Sequence, residues 1–207
     1  MNKACIFDRS WTLSNNFHCF SQVVEKLFTR FGVPLISDEE IRSSYISPYM
    51  KFWNQYIPDL SKTEQDILFL GCMQELERPK IYPGVMETLT FLHDHGRKLF
   101  VLSSDHADTL VPEIEHSGLL PLLTESISSD YEKGEQILTL IQRYALDQDA
   151  TFLVGDTNGD IEAGIFAHVK TVGITWWFQD KAGLEKAGPD YLIDDICELI
   201  DIANQQK

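Results

Sequence analysis

The 207-residue sequence is short of positive charge, with 17 Lys and Arg against 32 Asp and Glu, a formal net charge of −15 and a pI near 4.7. Such a surface repels phosphate backbones and anionic membranes, so nucleic acid and lipid are not expected partners. A small anionic ligand would need a local cation to enter. Long apolar runs are missing too: no stretch approaches the ~20 residues of a membrane span. The N-terminus offers one lysine and then a short strand, so no signal peptide is expected, and the chain reads as cytoplasmic. The four cysteines, Cys5, Cys19, Cys72 and Cys197, show no CxxC spacing. Each lies in an apolar context and reads as a reduced, buried thiol, not a zinc ligand or half of a disulfide. No GxGxxG follows the first apolar run, which disfavours a dinucleotide cofactor. There is no internal repeat and no low-complexity segment.

What is present is an alternation. Short apolar runs, "ACIF" before Asp8, "KLFVLSS" (98–104), "ESISS" ending near Ser129, "TFLVGD" (151–156), "VKTVGITW" (169–176) and "DYLIDD", are separated by helical patterns such as 85–95 and 135–144. Apolar strands of four to six residues between helices predict βαβ units, hence an α/β fold with a Rossmann-like parallel sheet buried on both faces. Residues 16–80 break the alternation. Phe17, Phe20, Val23, Val24, Leu27, Phe28 and Phe31 recur at helical spacing, with Gly32 and Pro34 ending that helix. Ser61 and Glu64 have the spacing of a capping box. The expected organisation is a core of residues 1–15 and 81–207, with an all-helical insert over 16–80 after the first strand. The aromatics Tyr45, Tyr49, Phe52, Trp53 and Tyr56 could line a substrate pocket, although helical spacing makes packing in the insert's own core the better reading for most of them.

Ligands of open α/β sheets sit beyond the carboxyl ends of the strands. Asp8, Ser103 and Asp156 all fall there. In "LVGDTNGDIEAG" (153–164) Asp156 and Asp160 are four apart where a strand ends and a helix opens, so both can face one spot. Alone, Asp160 would read as an acid facing a helix dipole. With Gly155, Asn158 and Gly159 around it and Asp8 on another strand, a cation site is the better reading. Three hard carboxylates without His or Cys suit Mg²⁺. Ser103, Ser104 and Lys133 could complete an anion clamp.

This ordered set resembles the haloacid dehalogenase (HAD) superfamily of hydrolases. Its DxDxT motif lies on "DRSWT" (8–12), its strand-ending Ser or Thr on Ser103, its basic residue on Lys133 and its GDxxxD motif on "GDTNGD" (155–160). The stretches "YPGVMETLTFLHDHGRKLFVLSS" and "WWFQDKAGLEKAGPDYLIDDICEL" are similar to the phosphoglycolate phosphatase branch. The resemblance implies a helical cap and Mg²⁺-dependent hydrolysis of a small phosphorylated metabolite through an aspartyl-phosphate. It makes Asp8 the nucleophile. It gives the metal to Asp8, the backbone carbonyl of Ser10, Asp156 and Asp160. Ser103, Ser104 and Lys133 become phosphoryl ligands, and Thr12 steadies the phosphate-binding loop. The oligomeric state and the particular substrate stay open.

The sequence departs from the family at position 10, where a second aspartate usually acts as acid and base. Ser10 has no carboxyl, and losing a general acid–base costs about 10²–10⁴-fold. The expectation is therefore a slow or specialised phosphatase, with two alternatives: a metal- and phosphate-binding protein with impaired catalysis, or a carbon–phosphorus or carbon–halogen hydrolase of the same fold. Trp11 replaces the family's usual glycine and reads either as loop packing or as an indole at the entrance. Arg9 is expected to be solvated or paired with carboxylates of the insert. Lys51 reads as a surface lysine and His106 as a helix N-terminal residue.

Overall fold

A computed structural model of the chain describes residues 2–46, 49–128, 132–176 and 181–205. The expected strand end at Ser129 and the "WFQD" stretch at 177–180 lie outside them. Eight strands are described: β1 (Asn2–Phe7), β2 (Ser14–Asn15), β3 (Lys80–Ile81), β4 (Lys98–Ser103), β5 (Glu125–Ser128), β6 (Leu146–Gly155), β7 (Lys170–Ile174) and β8 (Tyr191–Ile193). Ten α-helices accompany them: α1 (Phe17–Phe31), α2 (Asp38–Ser44), α3 (Tyr49–Tyr56), α4 (Lys62–Met73), α5 (Val85–Asp94), α6 (Ala107–Ser117), α7 (Lys133–Tyr144), α8 (Asn158–Phe166), α9 (Lys181–Ala187) and α10 (Glu198–Gln205).

The main sheet has the order β5-β4-β1-β6-β7-β8, and every pairing in it is parallel. Period-2 geometry decides which face each side chain of β1 serves. Cys5 and Phe7 enter a core with Leu89, Leu92, Val101 and Leu199, whereas Ala4 and Ile6 enter the opposite core with Ile137, Leu140 and Ala163. Both faces are thus covered, as an all-parallel sheet requires. Because β1 is flanked by β4 on one side and β6 on the other, the chain direction across the sheet reverses at β1. That reversal opens a crevice at the strands' carboxyl ends.

The contacts divide the chain into two compact units, residues 2–15 with 80–205 and residues 16–79. The second unit contains α1 to α4 and no strand among its described residues. Helix α1 ends on Gly32 in the left-handed conformation, φ 68°, with the Gly32 N–H bonded to the Phe28 and Thr29 carbonyls. Ser61 and Glu64 form a reciprocal capping box at α4. The expected aromatics pack on one another: Phe20 lies 5.5 Å from Phe52 and 5.8 Å from Trp53 between ring centroids, and Phe28 lies 4.9 Å from Tyr56. Lys51 is exposed.

The four cysteines are free thiols. Cys5 and Cys19 are buried, while Cys72 and Cys197 are partly exposed. Burial pushes the Cys5 thiol up to about 12, which keeps it protonated and inert. Among the described residues no helix is long and apolar enough to cross a membrane.

Candidate active site

The site begins with the strand ends. Phe7 closes β1, and the Asp8 N–H still donates to the Val154 carbonyl at 2.9 Å, fixing Asp8 beside β6. Strand β6 ends at Gly155 and delivers Asp156 next to it. The turn then enters α8, whose N-cap Thr157 forms a capping box with Asp160. Gly155 is required at this bend: a Cβ there would stand 2.4 Å from Asp160 Cβ. The glycine lets Asp160 fold back over the strand end.

Asp8, Asp156 and Asp160 each offer a carboxylate oxygen within 4.8 Å of the others, and all three are buried. Lys133, the first residue of α7, reaches into the cluster. Its Nζ donates to Asp8 Oδ1 at 2.5 Å and to Asp160 Oδ1 at 2.6 Å. Three carboxylates against one ammonium leave two negative charges uncompensated in a buried place. The protein responds as electrostatics requires. Burial pushes Asp8 up to about 7, opposed by Lys133 and reinforced by Asp160. Burial, and then the Asp8 and Asp160 charges, push Asp156 well above the usual carboxylate range. Lys133 is raised, because the Asp160 and Asp8 charges outweigh its own burial.

The set fits a hard divalent cation. All its donors are carboxylate oxygens, and two added positive charges would neutralise it. Asp156 carries the sharpest sign. It is fully buried, Oδ1 accepts from Thr12 Oγ1 at 2.9 Å, and Oδ2 has no hydrogen-bond partner. A buried carboxylate oxygen without a partner costs free energy unless something binds it. Thr12 is itself fully buried and spends its hydroxyl on Asp156.

Ser103 and Ser10 turn to a group the sequence reading had passed over. Asp105 Oδ2 accepts three hydrogen bonds, from Arg9 Nη1, Ser10 Oγ and Ser103 Oγ, each at 2.8 Å. The Asp105 N–H donates to Ser103 Oγ at 3.2 Å. The expectation for Arg9 needs correction. Arg9 is 4% exposed and pairs with Asp105 and with Glu113 of α6, neither of which belongs to the helical insert. A guanidinium this deep needs carboxylates on its fork, and α6 supplies the second one. Burial alone would raise Asp105, but the Arg9 charge and the hydroxyl donors hold its carboxyl below the usual range. The only hint in the sequence was the acid directly after "SS" at a strand end. Ser104 is half-buried, and its hydroxyl has no partner among the described residues. His106 is the N-cap of α6 and accepts from the Asp108 N–H, as its place before a helix suggested.

Trp11 lies in the left-handed region, φ 63°, and is buried. Its carbonyl accepts from Trp176 Nε1 at 3.1 Å, and the Trp176 ring stacks on Tyr82 at 4.4 Å. The loop after Asp8 is thus tied to the end of β7.

The acids thus gather beyond the central strands of a parallel α/β sheet. The family model described as haloacid dehalogenase-like hydrolase matches residues 5–174, and the chain belongs to that family. Pyrophosphatase PpaX of Oceanobacillus iheyensis is 24% identical over 210 residues, covering 97% of this chain and 96% of that one. Phosphoglycolate phosphatase of Synechococcus elongatus is 26% identical over 136 residues, covering 65% of this chain and 63% of that one. A haloacid dehalogenase-like hydrolase from Streptococcus pneumoniae superimposes with a TM-score of 0.85 at 20% identity, covering 97% of this chain and 98% of that chain.

Proposed function

We propose that this chain is a Mg²⁺-dependent phosphatase that cleaves a small phosphorylated metabolite through an aspartyl-phosphate on Asp8. The observation that carries the reading is the buried Asp8–Asp156–Asp160 cluster at the crevice, with the Lys133 ammonium bonded to two of its acids. Mg²⁺ would be held by Asp8, Asp156, Asp160 and the backbone carbonyl of Ser10, and would supply charge neutralisation for phosphoryl oxygens. Asp8 has Oδ1 fixed by Lys133, while Oδ2 takes no hydrogen bond among the described residues and is the oxygen available for attack on phosphorus. Lys133 balances negative charge as it gathers on the phosphoryl group. Ser103 and Ser104 serve as phosphoryl donors, the first by turning its hydroxyl away from Asp105. Thr12 orients Asp156. The helical unit 16–79 is the cap that selects the substrate. The names of the relatives, a pyrophosphatase and a phosphoglycolate phosphatase, support a small phosphorylated substrate.

The test is turnover of an activated aryl phosphate with Mg²⁺ and with a chelator, beside Asp8→Asn. Phosphate release that needs Mg²⁺ and vanishes in Asp8→Asn is the expected outcome. Turnover that survives chelation or the loss of the Asp8 carboxylate would overturn the reading.

A further inference from the structure

We propose that Asp105 is the catalytic base of the second half-reaction, supplying the carboxylate that position 10 lacks. The inference rests on the phosphatase reading above. Four observations carry it.

The first is place. Ser10 sits two residues after the candidate nucleophile, and its hydroxyl is 2.8 Å from Asp105 Oδ2. A carboxylate therefore stands one hydrogen bond beyond the side chain where a longer acidic residue would have reached. The second is fixation. Oδ2 accepts from Arg9, Ser10 and Ser103 together, and Arg9 is anchored in turn by Glu113 of α6. When Ser103 turns to the phosphoryl group, the Arg9 guanidinium and the Ser10 hydroxyl still hold that oxygen in one orientation. The third is availability. Among the described residues Oδ1 takes no hydrogen bond, and the side chain is 22% exposed. One oxygen is clamped and the other remains for a water. The fourth is that the other candidate near this loop, His106, is exposed and turned to its own helix N-terminus.

The step balances. In the first half-reaction an Asp8 oxygen bonds to phosphorus and the bond from phosphorus to the leaving oxygen breaks. In the second, a water oxygen bonds to phosphorus while Asp105 Oδ1 takes one of its protons. The bond from Asp8 to phosphorus breaks, its electron pair returns to the Asp8 carboxylate, and inorganic phosphate leaves. Asp105 then releases the proton to solvent. An ionised carboxylate has no proton to give a departing alkoxide, so this role belongs to the hydrolysis of the aspartyl-phosphate alone.

The experiment uses the full chain, Mg²⁺ and an aryl phosphate, with rapid-quench product counting and intact-mass detection of phosphoprotein after acid quench. The native protein is expected to turn over steadily with little phosphoprotein. Asp105→Asn keeps the size and an acceptor oxygen. It is expected to release a burst of about one product per enzyme, then slow by roughly 10²-fold or more, with phosphoprotein accumulating. Adding Ser10→Asp to Asp105→Asn is expected to restore steady turnover and clear the phosphoprotein. If Asp105→Asn loses the burst along with the turnover, Asp105 only holds the loop and the proposal falls. Should Asp105→Asn be insoluble, Asp105→Ser is judged by the same ratio of burst to steady rate. A native protein that already bursts and stalls, and is unchanged by Asp105→Asn, refutes the inference while leaving the phosphatase reading intact. A native protein with neither turnover nor phosphoprotein refutes both.

Discussion

Thr12 and Asp156, 144 residues apart in the chain, meet in a fully buried hydrogen bond of 2.9 Å from Oγ1 to Oδ1. The bond joins the loop after β1 to the loop after β6. Thr12→Val keeps the shape and removes the donor, leaving both oxygens of a buried carboxylate without a protein partner. Leaving such an acceptor unpaired costs ~1–3 kcal/mol. Urea unfolding of the chelator-treated protein is expected to show a loss of that size. The loss should shrink in saturating Mg²⁺, which gives the carboxylate another partner.

Gly155→Ala places a methyl 2.4 Å from both Cβ and Cγ of Asp160. Those atoms are held by the capping box and by Lys133, so the side chain has no easy retreat. Overpacking of this kind costs ~1–3 kcal/mol. Displacing Asp160 also frees Lys133 from one of its two carboxylates. The variant is expected to stay folded with a lowered melting temperature and weakened Mg²⁺ binding by calorimetry. Unchanged Mg²⁺ affinity would show that Asp160 is not needed at the cluster.

The pH dependence of the metal-free protein follows from Asp8. Burial raises its folded value from 3.8 to about 7, so the native state holds a proton that the unfolded chain has lost. This contribution to stability is fully present below about pH 4 and disappears as pH rises through about 7. Asp156, also raised, acts in the same direction. Asp105, held low, acts oppositely, its contribution being lost only as pH falls through the acid range. Between pH 4 and 7 the chelator-treated protein is therefore expected to lose stability from the cluster. Mg²⁺ bound as proposed would favour the ionised carboxylates and should flatten that fall. Melting curves at several pH values, with and without Mg²⁺, read both effects.

Trp11→Gly sets two effects against each other. A non-glycine residue at φ 63° carries a backbone cost of ~1–2 kcal/mol, which glycine removes. Deleting a large buried aromatic costs ~3–5 kcal/mol, and the indole is 6% exposed. The packing term is larger, so the variant is expected to be less stable despite its easier backbone. A more stable variant would mean that the indole contributes little to packing. Denaturant titration of the two proteins decides it.

Parts of this architecture were legible because their determinants are local. Residues 153–160 carry in one short stretch the apolar strand, the glycine bend, the N-cap and both acids, and the structure builds them in that order. The end of α1 was readable from Gly32 for the same reason. Arg9 was misread because nothing nearby in sequence hints at burial. Its partner Asp105 is 96 residues away, and Glu113 lies on a helix the apolar pattern had not singled out. Pro112 inside that helix weakens its pattern further. The length of β6 was also missed: it begins at Leu146, and the polar residues Asp147, Gln148 and Asp149 do not read as strand.

The place of β1 has a bearing on how the molecule comes into being. It is the central strand, yet Cys5 pairs with Leu99 on one side and with Phe152 on the other. The ribosome makes β1 well before either neighbour, so an apolar segment waits unpaired while the helical unit is completed. Contacts so distant along the chain make for slow folding and a prolonged exposure of sticky backbone. Asp8 ends that same segment, so the carboxylate cluster forms only when the last of its strands, β6, has docked. A cation that binds the cluster would then reward only chains that have finished the sheet, and in a refolding mixture Mg²⁺ would draw the population toward completed molecules.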